Sequence, residues 1–553
     1  MDQSRASVSP RPRRGGYGTA ALVAAVPLVF VGVFFAYPVV SVIARGLDGT
    51  GRVHPMDVLR DTDTWRIVWF TFWQAAVSTV LTLAAGLPAA WAVARNRFRG
   101  RGAVRALVIV PFVMPTVVVS AALRATFTRL GLDHGAIHLD QTVWAILLAH
   151  VIFNVAVVVR VVGGYWALLD PRLIEAARTL GASRRDVWRE VTLPHLRSAL
   201  WSTATIVFLF CFTSFGVILV VGGPRRVTLE TEIWRFATQR TDFTTAAVLA
   251  IVQLSFVITV VAASTGAERR AAQLGGLRRV VNARRPRTRR ARIGVAAIVT
   301  TTLLFLLLPL AVLIERSLAV GNGYGLAHYR ALVHRDNRSA LLVPPIDAIK
   351  NSLSIALQAT LIALVIGTLA SFTVVHGRRA LGRLLDVALM VPLGTSAVTL
   401  GFGILVALDS PPLDLRTSAI IVPIAQAIVG IPFVMRAIVP MLRAIDPRLR
   451  EAATTLGATP MRVRLEVDLP IVRRALAAAA GFAFAVSLGE FGATAFLARP
   501  DRPTVPIAMF RLLGVAGSSA RGQAMALGVI LTAITVVCVA IIERAQRGHR
   551  VGW

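Results

Sequence analysis

Two stretches of this chain repeat the same polar and turn-forming residues at the same spacing. LDPRLIEAARTLGASRRDVWREVTLPHLRSAL begins at Leu169, and IDPRLREAATTLGATPMRVRLEVDLPIVRRAL begins at Ile445. Each holds a Glu-Ala-Ala triplet, Glu175-Ala176-Ala177 and Glu451-Ala452-Ala453, and after three more residues a glycine, Gly181 and Gly457. Leu173, Ala176, Ala177 and Leu180 fall on one face of a helix, as do Leu449, Ala452, Ala453 and Leu456. The glycine permits a sharp turn through positive φ. A second short helix is expected to follow and to stop near Pro194 or Pro470. The chemistry on offer is contact: a short helix with an apolar face can lie along a membrane and dock into a groove on another protein. The alternative is an interfacial helix resting on lipid headgroups. Lipid contact, however, does not require the same Glu, Gly and Pro at fixed spacing in two copies.

A third acid, Glu490 in SLGEFGATAF, falls inside an apolar run. An intramembrane acid is a functional candidate by default. Its counterpart in the other copy is Ser214 in FTSFGVIL. Glu490, Ser214 and Asn154 are the candidates for lining a translocation path. A structural role for Glu490, paired with Arg160 or Arg436, is an equal alternative; those arginines can also snorkel or cap helix carbonyls. Gln253, Gln358 and Gln426 are weaker candidates, because a polar side chain on a span more often bonds a neighbouring helix. The chain shows no zinc-ligand cluster, no nucleophile elbow and no closely spaced carboxylate pair, so neither catalysis nor a metal site is expected. A phosphate-binding loop needs GxxxxGK before Ser or Thr. The single lysine, Lys350 in AIKNSLS, has no such loop before it. No cofactor is expected on this chain, and any ATP must be hydrolysed by a partner.

The elements that position these residues are membrane helices. The 553 residues are 56% hydrophobic and only 16% charged, with a mean hydropathy of +0.68. That is too few charges to cover a soluble protein of this size. Apolar runs of spanning length recur from Ala20 onward, each with the roughly 20 residues that cross a hydrocarbon core. They are longer than barrel strands and do not alternate strictly, so helices are expected. The formal charge of +32 does not point to nucleic acid, because the arginines lie between apolar runs: 11–14, 95–105, 172–197, 269–292, 378–383, 443–474 and 544–550. The intervening connections carry Asp48, Asp57, Asp61, Asp63, Asp133, Asp140, Asp409 and Asp414. This alternation is the positive-inside pattern, and it predicts a multi-pass cell-membrane protein with both termini in the cytoplasm. Cys211 and Cys538 both lie in apolar runs and read as packing residues rather than a disulfide. No small-residue cleavage site follows Val40, so 20–44 reads as a retained first span.

The predicted spans are 19–44, 67–94, 104–127, 142–168, 199–221 and 243–264, then 292–317, 349–376, 382–408, 417–442, 474–497 and 523–543. The fold class is therefore all-α and polytopic, with two six-helix repeats and about 12 transmembrane helices. The expected organisation is a cytoplasmic tail at 1–18, a first repeat at 19–266, a basic cytoplasmic linker at 267–291, a second repeat at 292–545 and a tail at 546–553. An offset of 276 without a gap carries Asp170 onto Asp446, Arg160 onto Arg436, Phe215-Gly216 onto Phe491-Gly492 and Thr228 onto Thr504. A gapless register across spans and loops marks an internal duplication. Six spans separate Glu175 from Glu451, which puts both copies on one side and makes the repeat parallel.

The duplicated segment resembles the EAA loop of binding-protein-dependent ABC importer permeases, and the surrounding spans fit a duplicated six-span permease. That resemblance implies a coupling helix that seats in an ATPase subunit, with Glu175 and Glu451 as polar contacts and Gly181 and Gly457 as the turn. It further implies two ATPase subunits, an extracytoplasmic substrate-binding protein, the bilayer as the third partner, and no nucleic acid. The fused arrangement resembles the permeases of the thiamine and ferric-iron importers. CFTSFGVILVVGGPRRVTLETEIWR and GEFGATAFLARPDRPTVPIAMFRLLG are closer to the thiamine type. An ion-gradient-driven transporter with parallel repeats is the alternative from another class, although it would have no need of paired EAA loops. A membrane scaffold without transport is a third.

Overall fold

In the computed structural model, residues 16–48, 53–134, 138–272, 283, 285, 286, 288–334, 340–377, 379–409 and 414–546 are described. Most of the tails expected at 1–18 and 546–553, and much of the linker at 267–291, lie outside these residues.

The first half is built from α1 (Ala24–Leu47), α2 (Thr62–Arg95), α3 (Arg101–Val113), α4 (Thr116–Leu130), α5 (Val143–Leu168), α6 (Pro171–Thr179), α7 (Arg184–Phe212), α8 (Gly216–Val221), α9 (Leu229–Thr238) and α10 (Phe243–Ala272). The second half repeats the set: α11 (Arg289–Leu318), α12 (Pro345–His376), α13 (Arg379–Gly394), α14 (Ala397–Ala407), α15 (Ile421–Arg443), α16 (Pro447–Thr455), α17 (Pro460–Gly489), α18 (Thr494–Leu497), α19 (Val505–Leu513) and α20 (Ser518–Gln546). Each of these helices has its counterpart ten numbers on, and a short hairpin, Ala319–Val320 paired with Gly323–Tyr324, stands outside the repeat. Among the described residues, ten helices are long and apolar enough to cross a membrane, and twelve crossings result if each bent pair is one span.

The bent pairs are the main departure from the expected spans. In place of straight helices over 104–127 and 382–408, α3 meets α4 at 100° and α13 meets α14 at 102°. Pro115 lacks an N–H and pushes Met114 out of the helical region, to ψ 148°. Its counterpart Ser396 makes the same corner differently, accepting hydrogen bonds on Oγ from the Val398 and Thr399 amides. The spans expected at 199–221 and 474–497 are also interrupted, between Phe212 and Gly216 and between Gly489 and Thr494.

A second departure concerns the prolines after the docking segments. The helix expected to stop near Pro194 instead runs on from Arg184 to Phe212, as its counterpart runs from Pro460 to Gly489. A proline ring clashes with the carbonyl four residues back. Both helices absorb it by widening to π-turns, Val187–Thr192 and Arg464–Asp468, just before Pro194 and Pro470.

Within each half the closest packing is α2 on α5 and α12 on α15, with α7 and α17 against the same pairs. The first helix of each half crosses over. α1 packs on α12, α13 and α14 as well as on α10 of its own half, and α11 packs on α2, α3 and α4 as well as on α20. α9 reaches α14, and α19 reaches α4. The apolar core accordingly draws on both halves, from Val117 and Phe212 to Phe402 and Phe491.

Candidate functional site

Two regions concentrate the candidate residues. The first is the pair of repeated Glu-Ala-Ala segments. Asp170 and Asp446 cap α6 and α16, each accepting from the amide two residues on, Arg172 at 2.9 Å and Arg448 at 3.0 Å. Both helices end in the same glycine turn. Gly181 has φ +88° and Gly457 φ +85°. The Ala182 amide donates to the Ala177 carbonyl, and the Ala458 amide to that of Ala453, the bond that closes a Schellman-type stop. Glu175, Ala176, Glu451 and Ala452 are exposed, while Ala177 and Ala453 are half-buried. Leu180 and Leu456 are 89% and 88% exposed, the most exposed large apolar side chains among the described residues. A Cβ added to either glycine would meet no atom. The demand for glycine is therefore the backbone angle alone, which costs other residues about 1–2 kcal/mol.

The two segments are not equally anchored. Arg450 Nε lies 2.8 Å from Asp468 Oδ1, and Arg450 Nη2 donates to the Leu442 carbonyl at 3.0 Å. Asp468, buried, also lies 3.4 Å from His376 Nε2 at the end of α12. The counterparts of Arg450 and Asp468 in the first half are Ile174 and Thr192. Replacing Asp468 alone by Ala leaves Arg450 without its carboxylate; breaking such a pair costs about 3–5 kcal/mol when fully buried. The double variant R450I/D468T recreates the first-half pair. The expected result is a clear fall in melting temperature for D468A and near-normal melting for the double variant, read by thermal unfolding in detergent.

The second region lies where α7 and α17 are interrupted. Ser214 and Glu490 sit at these breaks, each one residue before a phenylalanine, and Phe215 stacks on Phe491 with ring centroids 5.2 Å apart. The structure thus brings two of the three path candidates to the contact between the halves. Among the described residues Glu490 pairs with no arginine. Its oxygens accept from the Ala493 amide at 2.8 Å, the Thr494 amide at 3.0 Å and the Thr494 hydroxyl, which caps α18. Arg160 and Arg436 are exposed. Asn154 lies elsewhere, buried between α5 and α7, donating to the His150 carbonyl and towards Cys211 Sγ. Gln426 links the Ser487 hydroxyl to Thr494 Oγ1. Gln358 is exposed and bonds Ser354 within its own helix.

A residue the sequence did not single out completes this region. Glu230 on α9 is fully buried; one oxygen accepts from Gln253 of α10 and the other from the Ser396 hydroxyl at 2.7 Å. Ser396 belongs to the second half, so this carboxyl group ties the halves together. Among the described residues no group of three His, Cys, Asp or Glu side chains is placed to hold a metal ion.

A duplicated set of spans, interrupted where the halves meet and carrying a pair of exposed, glycine-stopped helices, is the architecture of a transport permease. The model of the binding-protein-dependent transport system inner membrane component family matches residues 82–270 and 359–548, and the chain belongs to that family. It is the multi-pass membrane subunit of an ABC importer, a transport subunit rather than an enzyme, and works with an ATPase and a substrate-binding protein. This sets aside the ion-gradient and scaffold readings. The thiamine transport system permease protein ThiP of Salmonella typhimurium is 27% identical over 511 residues, 89% of this chain and 91% of that protein. ThiP of Brucella suis is 26% identical over 518 residues, covering 90% and 91%. The permease protein PhnV of Salmonella paratyphi A is 30% identical over 264 residues, 47% of this chain and 95% of its own length.

Proposed function

We propose that this permease imports thiamine, handed to it by an extracytoplasmic binding protein and driven by two ATPase subunits seated on α6 and α16. The observation that carries the cargo is similarity to thiamine permeases along nearly the whole chain, 89% of it in the Salmonella typhimurium protein. Glu175 and Glu451 make polar contacts to the ATPase subunits, with Ala176, Ala177, Ala452 and Ala453 packed beside them and Gly181 and Gly457 setting the turn. One helix per half at one side of the molecule supports two ATPase subunits, which use the ATP; this chain binds no cofactor. Selection of the cargo rests on the binding protein. A tight site in the membrane would slow release after the path switches sides.

The test is reconstitution of permease, ATPase and binding protein in proteoliposomes. ATP hydrolysis should rise severalfold with thiamine-loaded binding protein and respond little to free thiamine. Radiolabelled thiamine should enter only with ATP and binding protein present. Uptake of ferric iron in its place would overturn the cargo, and full uptake without binding protein or ATP would overturn the importer assignment.

The basic connections favour a topology with both termini and the segment between the halves in the cytoplasm, and with the repeats at 19–266 and 292–545. A reporter active only outside the cytoplasm, fused after residue 280, is expected to stay silent. A strong signal there would require an odd number of crossings before the linker.

A further inference from the structure

The relation between the halves gathers four aromatic rings into one cluster. Phe215 stacks on Phe491 at 5.2 Å with planes 23° apart. Trp234 of α9 lies 6.0 Å from Phe215 and 6.1 Å from Phe510 of α19, edge-on at 85°. Phe510 lies 5.7 Å from Phe491. The offset of 276 makes Phe491 the counterpart of Phe215 and Phe510 the counterpart of Trp234. The cluster is therefore two equivalent pairs meeting at the axis between the halves, with apolar edges and faces interlocked.

Its level in the molecule follows from neighbouring bonds. The Leu229 amide at the start of α9 donates to Thr71 Oγ1 at 3.0 Å, and the Val505 amide at the start of α19 donates to Ser352 Oγ at 2.8 Å. Thr71 and Ser352 lie nearer the Thr62 and Pro345 ends of α2 and α12 than the Arg95 and His376 ends. Those latter ends reach the docking side, where Arg95 donates to the Leu169 carbonyl just before α6. The rings therefore sit away from the ATPase-docking helices.

Packing alone does not account for Trp234. Its indole Nε1 is buried and has no hydrogen-bond acceptor among the described residues. A buried donor left unpaired is costly and calls for an explanation, of which a partner that arrives during function is one. A planar heteroaromatic solute supplies both what four ring faces and a free N–H receive: a π-face to stack and a ring nitrogen or rim oxygen to accept. We propose that Phe215, Phe491, Trp234 and Phe510 form the closed seal of the path on the side away from the ATPase, and that they stack on a planar heteroaromatic cargo as the halves part. This rests on the permease reading for the existence of a path, and on the thiamine reading only for the probe.

The test uses the full complex in proteoliposomes. F215A/F491A removes the central stack and is expected to pass thiamine without ATP at least tenfold faster than the unaltered protein. W234A/F510A should do the same, and it keeps the experiment readable where the first variant fails to assemble. F215L/F491L retains apolar bulk without a π-face. It should stay tight, bind the loaded binding protein normally, and carry thiamine at least fivefold more slowly at saturation. Correctly assembled alanine variants that remain tight would overturn the seal. Leucine variants that transport at the unaltered rate would overturn the stacking role. A leak through the alanine variants, when the unaltered complex carries no thiamine, would overturn the cargo reading and leave the seal standing.

Discussion

Charged side chains at positions 180 and 456 are expected to strip the permease of its ATPase. Leu180 and Leu456 stand almost fully exposed at the ends of α6 and α16, each immediately before its glycine turn. An apolar side chain that far into solvent gains most by entering a pocket on a partner. Burying one leucine contributes about 1.5–3 kcal/mol, and hot-spot residues of this kind dominate interface energies. L180D/L456D loses both contributions and adds the cost of desolvating two carboxylates. The expected loss is about 100-fold or more in affinity, since each 1.4 kcal/mol is about tenfold. Co-purification of the ATPase reads it. Membrane insertion should be unchanged, because neither side chain packs within the permease. G181V/G457V should weaken docking less, because only the turn angle is strained. Undiminished capture of the ATPase by the aspartate variant would refute the docking assignment.

The second large effect is expected at the most extensive helix contact of each half, α2 on α5 and α12 on α15. Gly86 of α2 faces Val158 of α5, and a Cβ on Gly86 would lie 2.6 Å from the Val158 Cβ. Gly367 of α12 faces Val434 of α15 in the same way, with a Cβ 2.9 Å from that of Val434. Small residues let membrane helices approach closely, and the packing gained is a main source of their association. Overpacking such a contact costs about 1–3 kcal/mol per site, so G86L/G367L should abolish monodisperse protein on gel filtration. The cause can be isolated within one pair. G86A is expected to lower the melting temperature. G86A/V158G should recover part of the loss even though glycine in a helix is itself unfavourable by about 1 kcal/mol. G86A/V158A should recover little, because the offending Cβ remains. Additive losses in G86A/V158G would show that the two sites do not interact.

Much of the fold was legible because lipid imposes a simple rule. A helix surrounded by hydrocarbon must be apolar along its length, and the duplicated register then fixes which helix answers to which. The helices of the two Glu-Ala-Ala segments and their glycine turns were legible for the opposite reason: their polar, glycine-stopped pattern stands out between apolar runs. The corners between α3 and α4 and between α13 and α14 were hidden because hydropathy continues through them; only Pro111, Pro115 and Pro392 hinted at a break. Glu230 was missed because the stretch around it, RRVTLETEIWR, reads as a polar connection. α9 is instead enclosed by protein, so it needs no apolar surface and can bury a carboxyl group on Gln253 and Ser396. Glu490 was found, but its partners were not, because a cap to the amides three and four residues on leaves no trace in sequence periodicity.

The crossing-over of α1 sets a schedule for synthesis. Its resting place on α12 begins at Pro345, about 300 residues after Leu47 leaves the ribosome. At about 5–20 residues per second, the helix spends roughly 15–60 s inserted in lipid before that surface exists. α11 has no such wait, because α2, α3 and α4 are already made. Until α12 is made, the N-terminal helix has α10 of its own half to pack on, where Gly46 faces Ala247 and Ile251, while the surface it will lay on α12 stays in lipid. Its tolerance of substitution should be set by that waiting time as much as by the finished molecule.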